Sequence, residues 1–134
     1  MTAKRSGSGG GGRRRARGAD AFLPLKASWL HILIAVAAGR QHGYAIRQEV
    51  EERTEGRVRL WPATLYGALA QLVASGLLEE VASGAAAAVD DDARRRYYGL
   101  TALGRRVLDA ETRRLEELVR AARTSLVAQR PGGG

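Results

Sequence analysis

The sequence predicts a mainly α, α+β domain: three helices, a two-stranded hairpin, then one long helix. Three observations predict it. Apolar residues recur at helical spacing in three stretches, 22–38, 43–54 and 62–75, each closed by a glycine. Two β-capable segments, 77–81 and 94–100, flank a run of small and acidic residues. Beyond Thr101 an amphipathic pattern runs unbroken to about Gln129.

A chain of 134 residues suits one domain with a modest core. It contains no cysteine, which excludes disulfides and any cysteine-ligated zinc or iron–sulfur site. No apolar run reaches the roughly 18 residues of a bilayer span, and no apolar segment directly follows the basic N-terminus as a secretory signal requires. The expectation is a cytoplasmic chain with no membrane partner. The net charge is +8, but Lys4, Arg5, Arg13, Arg14, Arg15 and Arg17 all precede Asp20, the first acid. The rest of the chain is therefore only mildly basic, and a nucleic-acid reading must rest on where its arginines sit. Residues 1–21 are read as a disordered Gly/Arg tail. It is either a plain linker or a basic arm that adds salt-dependent affinity for phosphates.

The first helical segment, 22–38, is apolar almost all round, with Phe22, Leu25, Trp29, Leu30, Ile32, Leu33 and Val36. Such a helix needs cover on both sides. The domain core can supply one cover and a partner subunit the other. The second, 43–54, carries Tyr44, Ile46 and Val50 as its apolar positions, with Tyr44 expected against the third helix. The third begins at Pro62, a residue well tolerated in a first turn. Its inner stripe is Leu65, Leu69, Leu72 and Val73, and its other face holds Thr64, Tyr66, Gly67, Ala68 and Gln71, polar but uncharged. Thr101 is a good N-cap for the last helix, about 40 Å long at ~1.5 Å per residue. Leu108, Leu115 and Ala122 fall seven apart there, with Leu118 and Leu126 beside them. So small a domain cannot bury a stripe of that length, which points to pairing between chains.

The order helix, helix, helix, strand, wing, strand, long helix, with a short link between the second and third helices, is that of a winged helix-turn-helix. Its third helix would enter the major groove of double-stranded DNA. The domain organisation follows: a tail at 1–21, a winged helix-turn-helix at 22–100, a C-terminal dimerisation helix at 101–130 and a flexible end at 131–134.

The segments His42-Gly43-Tyr44-Ala45-Ile46, Pro62-Ala63-Thr64-Leu65-Tyr66, Leu69 with Leu72, Gly76-Leu77, and Arg95-Arg96-Tyr97-Tyr98-Gly99-Leu100-Thr101-Ala102-Leu103-Gly104 together resemble the PadR-like transcriptional regulators, in their smaller subfamily with a single C-terminal helix. The resemblance implies a homodimeric repressor released from DNA by a small molecule or another signal. Gly67 departs from the longer polar or basic residue that members often carry there. The insert 83–89 is longer than usual, and Asp90, Asp91 and Asp92 behind it would repel phosphates.

Thr64, Tyr66 and Gln71 are the expected DNA contacts of the third helix, against the alternative of an ordinary exposed face. Arg94, Arg95 and Arg96 are expected at the wing, either on phosphates or paired with Asp90–Asp92. Trp29, Leu33, Leu108, Leu115, Leu118 and Ala122 are the expected dimer contacts. Trp29 and Trp61 either line an effector pocket or pack in the core. His42 is read as structural, and His31 has no second ligand nearby in sequence, so no metal is expected. The glycines at 9–12 lack the Lys-Ser/Thr of a phosphate loop. No catalytic constellation stands out and no cofactor is implied, so an enzyme is not expected. The alternative function is a winged-helix module that binds a protein and never touches DNA.

Overall fold

The computed structural model describes residues 18–82 and 96–129. The elements are α1 (Ala27–Ala37), β1 (Gln41–His42), α2 (Gly43–Arg53), α3 (Pro62–Ala74), β2 (Leu78–Ala82), β3 (Arg96–Leu100) and α4 (Ala102–Ala128). The three strands form one antiparallel sheet in the order β1-β3-β2. Leu78 faces Leu100 and Ala82 faces Arg96 across the hairpin, and Gln41 lies opposite Tyr98 on the other edge. This is the winged helix-turn-helix fold. No helix among the described residues is long and apolar enough to cross a membrane.

The core is assembled from one stripe of each helix. Ile32, Leu33 and Val36 of α1, Ile46 and Val50 of α2, Leu65, Leu69 and Leu72 of α3, and Val107 of α4 are all sealed from solvent with Leu77 and Leu78. α1 begins five residues later than the hydrophobic pattern suggested. Pro24 explains this: proline lacks an amide donor and disfavours helical geometry in the residue before it. The segment before α1 still packs. Phe22 and Leu23 lie against the core, Leu25 and Ala19 are buried, and residues 18–20 are helical. The folded domain therefore begins inside the stretch read as tail, whose residues 1–17 lie outside the described residues, as does the end of the chain from residue 130.

One carboxylate ties this segment down. Glu111 of α4 is 1 % exposed. It accepts from the backbone N–H of Leu25 at 3.1 Å and from the Arg114 side chain at 2.6 and 3.0 Å. The Arg114 hydrogen bonds outweigh the cost of burial and hold the Glu111 carboxyl below the usual carboxylate range. At the start of α4, the Thr101 hydroxyl accepts from the Gly104 N–H at 2.9 Å, the expected cap, and donates to the carbonyl of Gly76 at 2.6 Å. Gly104 lets the helix touch the sheet: a β-carbon there would lie 2.1 Å from the Leu77 carbonyl oxygen.

α4 then leaves the domain. Gly104, Val107 and Glu111 are its buried residues, and every residue from Glu116 to Gln129 is exposed.

Candidate nucleic-acid interface

α3 carries no charged residue. Leu65, Ala68, Leu69 and Leu72 hold it to the core, which turns Ala63, Thr64, Tyr66, Gly67, Ala70, Gln71 and Ala74 to solvent. Thr64, Tyr66, Gly67 and Gln71 thus lie on the exposed side, as expected, whereas Ala68, expected on the same face, is buried in the core. Thr64, Tyr66 and Gln71 flank a strip of small residues that lets another molecule approach the helix backbone closely.

Tyr66 is set by its neighbour. Its ring lies on Gly43 at the start of α2, where a β-carbon would come within 2.9 Å of ring and hydroxyl atoms. Tyr66 is the tyrosine that bridges the two helices, whereas Tyr44, expected to do so, is 55 % exposed. His42 caps α2 by accepting from the Ala45 N–H at its Nδ1, 3.2 Å away. Its ring meets Tyr97 of β3 edge-on with centroids 5.6 Å apart. His42 thereby ties the helix-turn-helix to the wing, alongside the pairing of β1 with β3.

Between them lies a cleft of about 730 Å³ lined by Tyr44, Gln48, Tyr66, Glu80, Arg96 and Tyr98 among others. Burial, reinforced by the Glu80 carboxylate and Tyr66, pushes the Tyr98 phenol above its ordinary value against a smaller opposing effect of Arg96. Tyr98 therefore keeps its proton at neutral pH. Arg96 pairs across the hairpin with Glu80, which partly compensates its charge. Arg94 and Arg95, with Asp90–Asp92 and the wing tip, lie outside the described residues.

The two tryptophans are not brought together. Trp29 of α1 is half-buried beneath Lys26, whose ammonium sits 5.7 Å from the ring centroid. Trp61, at the N-cap of α3, is 57 % exposed, with the Arg47 guanidinium 5.7 Å from its ring. The Arg47–Trp61 pair was not visible in the sequence, because fourteen positions of chain separate residues that only the turn between α2 and α3 brings together.

On the opposite side, Leu33 is wholly enclosed in the protomer's own core and has no surface to offer a partner. Trp29, Leu108 and Leu115 are half-buried, while Leu118 and Ala122 are exposed. Leu126, which lies beside the seven-residue stripe, and Val119 and Val127, which the pattern did not include, are 50 to 72 % exposed. An apolar groove of about 570 Å³ runs between α1 and α4, with Leu30, Ile34, Leu115 and Val119 in its walls.

The fold and this surface define a winged-helix DNA-binding protein of the transcription-regulator class. The chain belongs to the transcriptional regulator PadR-like family, whose model matches residues 32–110. It is similar in structure to a transcriptional regulator from Clostridium thermocellum, with a TM-score of 0.60, 22% identity, and 72% of this chain and 87% of the other covered. It is also similar to RosR of H. salinarum, with a TM-score of 0.54, 25% identity, and 84% and 99% of the two chains covered. A complex structure of the same protein, hsRosR-S1, gives a TM-score of 0.52 at 25% identity over 81% and 94% of the two chains. Comparison with curated proteins gives no match.

Proposed function

We propose that this regulator is a repressor that binds a palindromic operator as a homodimer and is released by a ligand or signal. The observation that carries the DNA reading is the outward face of α3. It is uncharged, offers Thr64, Tyr66 and Gln71, and stands beside an arginine-bearing hairpin. Hydroxyl and amide side chains at such positions can hydrogen-bond to base edges and phosphates, and the absence of any acid on α3 removes repulsion from the backbone. Arg94, Arg95 and Arg96 would hold the flanking backbone. Two α3 helices about 34 Å apart would enter successive major grooves.

The dimer reading is supported by the exposed Leu118, Val119, Leu126 and Val127 on α4, an apolar surface that water disfavours. A ligand can release DNA only by binding one dimer geometry better than another. The lever would be the Leu115 and Leu118 region against the partner's first helix. Trp29 and Trp61 would line an effector pocket where the dimer interface forms.

Selection from fragmented genomic DNA, followed by a salt titration on the best fragment, tests the reading. One enriched palindromic site whose binding weakens steeply with salt is expected. Diffuse binding that vanishes when residues 1–17 are removed, a cut that leaves the packed segment from residue 18 intact, would mean that the winged helix serves a protein partner instead.

A further inference from the structure

The cations around the helix-turn-helix and the hairpin are mostly engaged. Arg40 faces Glu79, Arg57 faces Glu55, Arg59 faces Glu51, and Arg96 faces Glu80. Arg53 donates to the carbonyl oxygen of His31. Arg47 differs from these. It makes no ion pair among the described residues, although Glu51 stands one turn on in the same helix. That carboxylate is taken by Arg59 at 3.4 Å. The Arg47 guanidinium instead lies over the exposed Trp61 ring, and its Nε is buried without a hydrogen-bond partner. The Nε edge is closed to any outside group, so the terminal Nη donors, for which the described residues supply no acceptor, are the ones a partner can reach.

The position of these donors suggests what that partner is. Trp61 is the N-cap of α3 and provides no side-chain cap, and Pro62 follows it. The ring that carries the guanidinium thus belongs to the residue that opens α3. An anionic oxygen on the open side of the guanidinium would be met by its Nη donors, while the Trp61 ring beneath fixes where they stand.

We propose that Arg47 is a backbone-phosphate contact of the bound DNA and that Trp61 is its positioning residue. This rests on the DNA reading above and adds to it a residue on α2 that anchors the N-terminal end of the recognition helix. The contact is independent of sequence. It sets how deeply and at what angle α3 enters the groove, and leaves base readout to α3 itself.

The test compares salt titrations of the full chain and its variants on the selected operator and on a duplex of unrelated sequence. Arg47→Ala is expected to weaken both about tenfold. It should also make the slope of log affinity against log salt shallower by about one, the signature of one lost phosphate contact. Trp61→Ala should lower affinity in the same direction, and Trp61→Phe should retain it. Trp61→Ala added to Arg47→Ala should cost nothing more, because a positioning residue has nothing left to position. Circular dichroism of each variant, with Arg47→Gln as a second neutral replacement, separates loss of contact from loss of fold. An unchanged slope for a folded Arg47→Ala chain that still binds its operator overturns the phosphate contact and leaves the DNA reading standing. Additive losses overturn the role of Trp61. A wild-type chain that selects no operator overturns the reading beneath both.

Discussion

α3 and the outer part of α4 both present helical surfaces that this domain leaves uncovered, and they are opposite in kind. α3 shows solvent a strip of alanine and glycine edged by Thr64, Tyr66 and Gln71, with no charge and little apolar bulk. α4 beyond Glu116 shows Leu118, Val119, Leu126 and Val127, interspersed with Glu117, Arg120 and Arg123. The first surface gains little from burial against protein but suits close approach to a polar, shaped partner. The second gains most from burial against another apolar helix. One small domain thus carries two exposed faces of different chemistry, each suited to a different kind of partner.

The joints between these faces are where the comparison breaks most easily. Gly104 seats α4 against Leu77, just before β2, so Gly104→Ala must push the helix off the Leu77 carbonyl. A loss of about 3 kcal/mol is expected in a denaturant titration. Next comes the Glu111 anchor. Glu111→Ala leaves the Leu25 N–H without its acceptor and is expected to cost about 2 kcal/mol. The sign of its pH dependence follows from its lowered pKa. The contribution of Glu111 is present in full above the ordinary carboxylate value of 4.5 and is lost as pH falls through the lower folded value. Glu111→Gln should therefore flatten the acid limb of stability against pH, which acid titration of the melting temperature measures. The smallest effect on the protomer is expected from Leu118→Glu, since Leu118 is 53 % exposed. Its unfolding free energy should change by less than about 0.5 kcal/mol. Sedimentation should nevertheless show monomers, which would separate the α4 face from the fold itself. A dimer that persists would move the interface elsewhere.

Much of this architecture is legible in the sequence because each element carries its own punctuation. Pro62 opens α3, Thr101 caps α4, and the α2 and α3 stripes repeat at helical spacing. Features made by tertiary contact were not legible. β1 is two residues long, too short for any alternation to show, and exists because β3 offers an edge beside it. Leu33 looked available for a partner because hydrophobicity announces burial without saying against what; the protomer itself encloses it. Tyr44 and Tyr66 could exchange roles on composition alone, and only the bare backbone at Gly43 decides which ring lies across the helix pair. The candidate site divides in the same way. Thr64, Tyr66 and Gln71 follow from helical phase, whereas the Arg96–Glu80 pair and the Arg47–Trp61 stack depend on strand register and on the turn before α3.

That α3 reads DNA and α4 pairs two chains is the central proposal for this molecule. The most direct measurement is sedimentation of the chain with its selected operator duplex, for the wild type and for a variant with Thr64, Tyr66 and Gln71 all replaced by alanine. The wild type should form one dimer per palindrome. The variant should remain a dimer and leave the duplex free at the same salt. A variant that still binds the operator at full strength, or a wild type that binds as a single chain, would contradict it.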